Sequence, residues 1–370
     1  MKIIAIDAID INSFGGLVHL EQILKALLKK KIFLKVYVNS FVRKNLKNSK
    51  NVDLIYKSSF DKNYFFRHLW KIFFFKKNLE NINCSILISL NGIYHGLFKP
   101  TILLQQNILP FHKRGQSRYN FFSKIKFFLQ KYAIYLSLKL HKNIIFTSND
   151  IKKKVLKNIS TSDTFYSKVI YHGAEKIKKY NRTFNPEKKI KLLFVSEFQE
   201  YKNHTRLFEA MKKKNNQKIE LTCIGKHYKT DIDKLKSKYD LNKLKIKIFK
   251  NISHVKTLNN YKYYDALIFP SLCESFGLPV LEAARNKVPV LCSDLKVFRE
   301  IYGNGCIYFN PNNSASILNK INFFISLKSK DLKKKTNYNY SRVKKFDWKL
   351  SGNEYFKMIF KVINSYEKKS

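Results

Sequence analysis

The sequence predicts an α/β protein built from two doubly wound domains. Short apolar runs rich in β-branched residues alternate with longer amphipathic stretches along nearly the whole chain, which is typical of βαβ units and parallel sheets. The chain has 370 residues, more than one hydrophobic core usually organises, so two domains are expected. Apolar residues make up 45% of the chain, which excludes a disordered protein.

The first series of predicted strands starts at the N-terminus. The first apolar run is followed by a break at residues 12–16, and an amphipathic helix is predicted from there to Lys30. The predicted strands of this series are Ile3–Ile6, Leu34–Val38, Val52–Ile55, Ile86–Ser89, Ile102–Gln105, Ile144–Thr147 and Val169–Tyr171.

A second series of strands follows a polar interval. The predicted strands are Ile190–Ser196, Ile219–Ile224, Ile246–Phe249, Ala266–Pro270, Val288–Cys292 and Ile307–Phe309. Between Gly173 and Lys189 the hydrophobic periodicity gives way to Gly, Asn, Pro and Lys, so a linker is expected there. We therefore predict domains at 1–178 and 179–346. Because ligands of parallel sheets bind at the carboxyl ends of the strands, the loops that directly follow strands are the candidates for function.

The chain carries a large positive charge. It has 72 Lys and Arg against 26 Asp and Glu, a net charge of +46, which attracts anionic surfaces. Only nine of the 72 are Arg, whereas readers of nucleic acid and phosphate usually favour the bidentate Arg fork. The excess therefore favours a membrane face over nucleic acid, and no nucleic-acid partner is expected. Drift in an AT-rich genome explains a Lys surplus equally well, so the composition alone supports both explanations.

The five cysteines and the N-terminus indicate the compartment. No CxxC pair occurs, so neither a disulfide framework nor a zinc site is predicted. Asp7 and Asp10 interrupt the first apolar run, and no window approaches 18 uninterrupted apolar residues. These features predict a cytoplasmic protein that neither carries a signal peptide nor spans the membrane.

The most informative stretch is residues 266–294, which reads as strand, loop, helix and strand. Gly277 lets the backbone approach a ligand closely, and Pro279 stands near the first helical position, where its missing N–H costs nothing. The helix start that follows is a candidate phosphate site. Glu274 lies in the loop and Glu282 one turn inside the helix. Since carboxylates accept hydrogen bonds from sugar hydroxyls, a nucleotide sugar would satisfy both glutamates and the helix. As an isolated pair, they would sooner be interpreted as a solvated loop residue and a helix glutamate favoured by the dipole.

The whole stretch PSLCESFGLPVLEAARNKVPV resembles the signature of the glycosyl transferases group 1 family, which has two glutamates separated by seven residues. The family consists of retaining enzymes with the GT-B fold, in which two Rossmann-like domains face each other across a cleft. The resemblance implies that Glu282 binds the ribose hydroxyls and that Glu274 lies near the anomeric centre of the donor sugar. Backbone N–H groups around Phe276, Gly277 and Leu278 would hold the sugar and the diphosphate.

A second stretch, residues 192–211, resembles the family segment that places a Lys on the donor diphosphate. The resemblance implies that Lys202 contacts the donor diphosphate. Its ammonium group would stabilise the negative charge that builds up on the leaving group. The family often has Arg five residues earlier, whereas this chain has Glu197. Either a neighbour such as Arg206 substitutes, or Lys202 and helix dipoles hold the diphosphate alone.

Three weaker similarities concern the first domain and the C-terminus. NSFGG at residues 12–16 resembles the family's glycine loop, which implies that Gly16 faces the diphosphate with Gly15 behind it. Gln106 and Asn107 stand where many members present an acceptor-side His, and neither can act as a base near neutral pH. Residues 347–370 resemble the segment that leads into a terminal helix packing back on the first domain.

The acceptor side has an unusual composition. From Asn81 to Asn149 there is no Asp or Glu, while nine Lys or Arg appear. Residues 111–142 form a basic, aromatic, amphipathic segment that suits an anionic membrane surface, or else a core helix with solvated Lys. Phe121, Phe122, Phe127 and Phe128 cannot all face one core stripe, which favours the membrane.

The combined prediction is a retaining, metal-independent glycosyltransferase of the hexosyltransferase type with no cofactor. It would transfer a sugar from a nucleoside-diphosphate sugar to a glycan or lipid-linked saccharide in cell-surface polysaccharide or lipopolysaccharide biosynthesis, peripheral on the inner face of the cytoplasmic membrane. Two alternatives belong to other classes: a nucleotide-sugar epimerase or hydrolase of similar fold, and a basic nucleic-acid-binding protein. Neither alternative explains the segment from Glu274 to Glu282.

Overall fold

A computed structural model describes residues 2–28, 32–46, 49–157, 159, 165–175, 188–214, 218–227, 229–250 and 252–368. The chain forms two compact units. Unit 1 comprises Met1–Phe111, Phe121–Gly173 and Asp347–Ser370, and unit 2 comprises His112–Asn120 and Ala174–Phe346. Residues 176–187 of the predicted linker, and with them the predicted boundary at 178/179, lie outside the described residues.

Unit 1 is built on a seven-stranded sheet in the order β3-β2-β1-β4-β5-β6-β7. All of its strand pairs are parallel, as the alternating sequence pattern predicts. The strands are β1 (Ile3–Ala8), β2 (Phe33–Val38), β3 (Val52–Tyr56), β4 (Cys84–Ser89), β5 (Thr101–Gln105), β6 (Asn143–Phe146) and β7 (Tyr166–Val169).

The helices of unit 1 cover this sheet. They are α1 (Phe14–Leu28), α2 (Ser40–Asn45), α3 (Tyr64–Phe73), α4 (Phe75–Asn81), α6 (Phe121–Leu140), α7 (Asn149–Leu156) and α15 (Trp348–Glu367), with 3-10 turns at Ser58–Asp61 and Leu109–Phe111. The buried faces of α1 and α15 pack with the central strands into one apolar cluster. Burial of these aliphatic side chains is the main source of stability for the sheet.

The C-terminal helix returns to the first unit, as predicted. α15 lies so close to α1 that a Cβ added at Gly352 would be 2.1 Å from the Cβ of Ala26. A similar close approach occurs where the chain re-enters the unit, because a Cβ at Gly173 would be 2.1 Å from the backbone nitrogen of Trp348. The half-buried Trp348 ring stacks on His19 of α1 at 5.8 Å between centroids.

Unit 2 is built on a six-stranded parallel sheet in the order β10-β9-β8-β11-β12-β13. Its strands are β8 (Ile190–Val195), β9 (Ile219–Ile224), β10 (Ile246–Phe249), β11 (Ala266–Phe269), β12 (Val290–Ser293) and β13 (Ile307–Phe309). Its helices are α5 (Lys113–Gln116), α8 (His204–Lys212), α9 (Lys229–Lys238), α10 (His254–Asn260), α11 (Leu278–Arg285), α12 (Lys296–Tyr302), α13 (Ser314–Ser326) and α14 (Ser329–Val343), with 3-10 turns at Glu200–Lys202 and Tyr261–Tyr263. The order of the central strands in both units is that of the doubly wound fold.

The division into units differs from the predicted one in two respects. Residues 112–120, predicted within the first domain, group with unit 2, and unit 2 resumes at Ala174 instead of residue 179. The predicted amphipathic segment 111–142 also does not form one continuous helix. It is broken by the turn at 117–120 into the short α5 and the long α6.

Candidate functional site

The loop between β11 and α11 brings two acidic side chains to the carboxyl end of the unit 2 sheet. Gly277 precedes α11 with φ +85°, a left-handed conformation that favours glycine. A Cβ there would also lie 2.6 Å from Cε1 of Phe298. Pro279 follows at the start of the helix, and the carbonyl of Gly277 accepts from the N–H groups of Val280 and Leu281. This turn fixes the height of the helix start relative to Glu274.

Lys202 and Glu274 form an ion pair in this loop region. Lys202 Nζ lies 2.7 Å from Glu274 Oε1, and both side chains are largely buried. Burial by itself lowers the pKa of Lys202, but the Glu274 carboxylate and other nearby groups raise it more, so that the net shift is upward. The ammonium also lies 5.3 Å from the ring centroid of Phe269. Lys202 is therefore a fixed cation at the ends of β8 and β11.

Asn203 fastens the Lys202 turn to neighbouring loops. It has φ 69°, a left-handed conformation that Asn tolerates. Its Nδ2 donates to the carbonyl of Pro270 at 2.9 Å and to that of Pro311 at 2.7 Å. The carbonyl of Tyr201 accepts from Leu272 N at 2.7 Å. These hydrogen bonds connect the loops after β8, β11 and β13, and they fix the position of Lys202 relative to Glu274.

Glu282 is held one turn inside α11 by two residues that the sequence did not single out. Its Oε1 accepts from His254 Nε2 at 2.7 Å, and its Oε2 accepts from the Tyr261 hydroxyl at 3.1 Å. The same hydroxyl lies 3.2 Å from the carbonyl of Pro279. The Glu282 carboxylate is buried, so these donors fix its orientation.

The other predicted donor-site residues of unit 2 have separate surroundings. The Phe276 side chain is buried and meets the ring of Phe346 edge-on at 6.3 Å, so its ring is part of the core. Leu278 is the first residue of α11 and is half-buried. A ligand contact of Phe276 would therefore come from its backbone, as the resemblance implies.

Glu197 stands where the family often has Arg, so either Arg206 substitutes for that Arg or Lys202 and helix dipoles hold the diphosphate alone. The surroundings of Glu197 and Arg206 distinguish these two explanations. Glu197 Oε2 accepts from Gln199 Nε2 at 3.1 Å, and Glu197 adds to the groups that raise the pKa of Lys202. Arg206 is paired with Glu209 on its own helix, with 2.7 Å between Nη1 and Oε2. That pairing favours the second explanation, in which Arg206 does not substitute.

Residues 112–120 add an unexpected aromatic to this region. Burial raises the pKa of Tyr119 to about 12, while a hydrogen bond with the backbone of Tyr201 lowers it, and Cys273 and Lys202 lie near enough to contribute. The segment also carries Arg118, whose pKa burial and the neighbouring Arg206 lower. No local sequence signal connects residue 119 with residue 201.

In unit 1, the glycine loop precedes and opens α1. Gly16 N bonds to Ser13 Oγ at 3.2 Å, and a Cβ at Gly16 would be 3.1 Å from Ile11 Cγ2. A Cβ at Gly15 would meet nothing within 4 Å. The open position of the loop is therefore Gly15, whereas the resemblance assigns the contact to Gly16, and that assignment stays a prediction.

The loop after β5 has polar groups that are already engaged. Gln106 Nε2 donates to the Leu90 carbonyl at 3.0 Å, and its Oε1 accepts from His19 Nδ1 at 3.3 Å. Asn107 Oδ1 accepts from Leu109 N at 3.1 Å. The other nitrogen of His19 lies 3.0 Å from the Tyr355 hydroxyl. Gln106 is thus linked through His19 to the C-terminal helix.

Sequence reasoning missed a buried ionic network at the carboxyl end of β1. Lys71 Nζ lies 2.7 Å from Asp7 Oδ2 and 2.6 Å from Asp10 Oδ2, and Arg67 Nε lies 3.0 Å from Asp10 Oδ1. Burial alone would lower the pKa of Lys71, but Asp10 and Asp7 raise it more. The network thus pairs two acidic side chains with two basic ones. Among so many lysines, Lys71 gives no signal in the sequence.

A histidine pair lies beside this network. His68 Nε2 is 2.7 Å from His95 Nδ1, and His95 Nε2 donates to the Ala133 carbonyl at 2.8 Å. Burial and the neighbouring His95 lower the pKa of His68 to about 4. The pair joins α3 to α6 by way of the loop after β4.

The described residues contain no group of three or more His, Cys, Asp and Glu side chains that could hold a metal ion. They also include no helix that is both long and apolar enough to cross a membrane. The site in unit 2 offers instead one buried ammonium, two carboxylates and a helix start. This set can bind a ligand that combines phosphate with hydroxyl groups.

Comparisons with known proteins agree with this geometry. Residues 175–342 match the model of the family described as Glycosyl transferases group 1. The O-antigen chain mannosyltransferase RfbU of Salmonella typhimurium is 26% identical over 199 residues, a match that covers 53% of this chain and 54% of RfbU. The match thus spans about half of the length of this relative.

Two solved structures have the same fold. Sucrose-phosphate synthase from Thermosynechococcus elongatus superposes with a TM-score of 0.78 at 14% identity, covering 99% of this chain and 100% of that one. Anabaena HepE in complex with UDP-glucose gives 0.73 at 14% identity, covering 99% and 100%. The fold is GT-B, with two Rossmann-like units. The residues that match the model of the glycosyl transferases group 1 family, 175–342, include Lys202, Glu274 and Glu282 of the site in unit 2.

Proposed function

We propose that this protein is a retaining, metal-independent glycosyltransferase that transfers a hexose from a nucleoside-diphosphate sugar to a glycan acceptor in O-antigen or lipopolysaccharide biosynthesis. The observation that carries the proposal is the Lys202–Glu274 ion pair, 2.7 Å long, beside the start of α11. A lysine that is fixed and charged is suited to a diphosphate leaving group, because it stabilises the charge that develops there.

The roles of the side chains follow from their chemistry. Glu282, oriented by His254 and Tyr261, would accept hydrogen bonds from the ribose hydroxyls. Glu274 would accept from the donor sugar near its anomeric carbon, and backbone N–H groups of Phe276, Gly277 and Leu278 would contact the sugar and diphosphate. Each role is a proposal from the family resemblance and the positions of these residues.

The transfer step needs a destination for one proton. The bond from the anomeric carbon to the diphosphate oxygen breaks, and the acceptor hydroxyl oxygen bonds to that carbon on the same face. Gln106 and Asn107 cannot take the acceptor proton, so we assign it to the departing phosphate oxygen. Lys202 and the α11 start supply the countercharge, so the proposed reaction needs no metal.

The acceptor and pathway are inferred from a relative. RfbU is an O-antigen chain mannosyltransferase, which makes a mannosyl donor the first to test and a lipid-linked saccharide the first acceptor. The structures of HepE include one with UDP-glucose, so a glucosyl donor comes next.

A membrane surface as partner is supported by α6. Phe121 and Phe122 are 72% and 78% exposed, and Phe128 is also exposed, whereas Phe127 is buried. Exposed aromatic rings among lysines suit the interface of an anionic bilayer. We propose that the protein is peripheral on the cytoplasmic face of the membrane.

The test is a transfer assay with the purified protein. GDP-mannose, UDP-glucose and other nucleotide sugars are incubated with lipid-linked oligosaccharide extract, with and without EDTA, and the product anomer is determined by NMR. The proposal expects transfer with retained configuration that EDTA does not reduce and that Lys202→Ala abolishes. The matched control is Lys212→Ala, an exposed lysine of α8.

Other results of this assay contradict parts of the proposal. A product with inverted anomeric configuration would contradict the retaining mechanism. Full inhibition by EDTA would contradict metal independence. Conversion of the donor without any acceptor would favour the epimerase or hydrolase alternative.

A further inference from the structure

A basic cavity lies at the amino ends of the unit 1 strands. It has a volume of about 530 Å³ and is bordered by the start of β5 at Thr101, the end of α6 with the start of β6, Tyr166 of β7 and the last turns of α15. β5 carries Thr101 at this edge and Gln105 at the opposite, carboxyl edge. The cavity is therefore at the other end of the strands from Gln106 and the glycine loop.

The rim of this cavity is cationic. Lys99, Lys139, Lys142 and Lys361 line it and are exposed. Its described lining residues include no Asp or Glu, and none of the four lysines has an ion pair within the part of the chain that the structure describes. Four uncompensated ammonium groups around one cavity favour an anionic ligand.

The inner wall of the cavity is mostly apolar or neutral. Pro100 and Val362 are buried, and the Tyr166 ring lies 4.5 Å from Lys361 Nζ. His141 is buried, and its Nε2 donates to the Gly96 carbonyl at 3.0 Å. A lysine rim over an apolar wall suits an amphiphile better than a free anion.

The exposed face of α6 leads to this cavity. Its exposed apolar side chains, which include the adjacent pairs 121/122 and 128/129, recur every three or four residues, so they share one face of the helix. They are Phe121, Phe122, Ile125, Phe128, Leu129, Tyr132 and Leu136. The next position on this face is Lys139, which lines the cavity. At 1.5 Å per residue, the apolar strip from Phe121 to Leu136 is roughly 22 Å long, and Lys139 follows its last residue on the same face.

We propose that this cavity binds the phosphate headgroup of an anionic membrane lipid while the apolar face of α6 enters the acyl layer. The inference rests on the membrane part of the proposed function and adds a specific headgroup site to it. Because the cavity is at the amino edge of the sheet, an occupied cavity leaves the carboxyl edge of unit 1 open to an acceptor.

The test measures binding of the full chain to vesicles by flotation. The vesicles contain phosphatidylcholine alone or phosphatidylcholine with roughly a third phosphatidylglycerol. The cavity variant is Lys139→Gln/Lys142→Gln/Lys361→Gln. The control is Lys25→Gln/Lys44→Gln/Lys349→Gln, which makes the same change in net charge at exposed positions of unit 1 away from the cavity. The strip variant is Phe121→Ser/Phe122→Ser.

The inference expects the cavity variant to bind anionic vesicles at least about tenfold more weakly than the charge-matched control. Urea midpoints of all variants are measured to show that each is folded. Equal binding by the cavity variant and the control overturns the headgroup site.

The remaining outcomes separate the two proposals. If the strip variant alone loses vesicle binding, the membrane part of the proposed function stands and the headgroup site fails. If wild type binds inorganic phosphate at the cavity but floats with no vesicle, both the lipid ligand and the membrane proposal fail.

Discussion

Lys202 Nζ and Glu274 Oε1 lie 2.7 Å apart although the two residues are 72 positions apart in the sequence. The contact joins the turn after β8 to the loop after β11, and both side chains are largely shielded from water. A pair of this kind stabilises the fold only weakly, because desolvation offsets the attraction, yet it keeps the lysine charged and immobile. The pair therefore links the geometry of the loops to the proposed chemistry.

Lys202→Met should affect both stability and activity. The change leaves Glu274 buried without its cation, which should destabilise unit 2 by on the order of 3 kcal/mol. Transfer should fall by roughly 100-fold or more, because the leaving diphosphate loses its fixed countercharge. Urea denaturation and initial rates measure the two effects.

The double variant Lys202→Met/Glu274→Gln separates these effects. Removing both charges should restore most of the lost stability while activity stays low. If the double variant regains activity together with stability, Lys202 has a purely structural role.

Tyr261→Phe tests the support of Glu282. The phenol donates to Glu282 Oε2 at 3.1 Å, so its loss should let the carboxylate rotate and weaken nucleotide binding by about 1 kcal/mol, roughly fivefold. The KM for the donor should rise while kcat changes little. Tyr263→Phe, at an exposed tyrosine two positions later, is the control. A fall in kcat alone would argue against a role in ribose binding.

Gly277→Ala should be costly, whereas Gly15→Ala should not. The first change forces a Cβ into a left-handed residue and against Phe298, with an expected loss of about 1–3 kcal/mol. The second adds a methyl group where nothing lies within 4 Å and should leave stability unchanged or slightly higher. Thermal unfolding of both variants makes the comparison, and equal losses would contradict the described turn.

Stability should decline as the pH falls from about 6.5 towards 4. Burial lowers the pKa of His19 to about 4, although its hydrogen bond with Gln106 raises it. At pH values between the ordinary pKa of histidine and the lowered pKa of His19, the unfolded chain binds a proton at this residue and the native state does not. A falling pH therefore favours unfolding. One such histidine contributes a slope of at most about 1.4 kcal/mol per pH unit.

The variant His19→Gln isolates this contribution. Glutamine cannot titrate, so urea midpoints at pH 7 and pH 5 should differ less than in wild type. His227→Gln, at a half-buried histidine of unit 2, is the control. An unchanged difference for His19→Gln would show that the slope comes from other groups.

The fold was largely predictable because parallel strands are buried on both faces and read as apolar runs. Every strand from β1 to β13 overlaps a predicted run, but β7 is displaced to Tyr166–Val169 from the predicted Val169–Tyr171. Its partner β6 ends at Phe146, whose carbonyl accepts from Ile170 N at 2.9 Å. Tyr171 then leaves the sheet, and its carbonyl accepts from Ser351 Oγ at 2.6 Å. Apolar character alone does not say where a neighbouring strand stops.

The site was predictable where the signal is local. Glu274, Gly277, Pro279 and Glu282 lie within nine residues, and their spacing in a strand–loop–helix unit indicates a ligand site. His254 and Tyr261 reach Glu282 only through tertiary packing, so no spacing in the sequence reveals them.

We propose that a nucleoside-diphosphate sugar binds at Lys202, Glu274 and Glu282, and a thermal-shift panel is the first test of this binding. Wild type, Lys202→Ala, Glu282→Ala and the control Lys212→Ala are heated with nucleoside diphosphates, nucleotide sugars and RNA. A ligand that binds only the native state raises the melting temperature. We expect one nucleotide series to stabilise wild type and the control, and both site variants to lose the shift. Stabilisation by RNA with no response to any nucleotide sugar would contradict the proposed donor site.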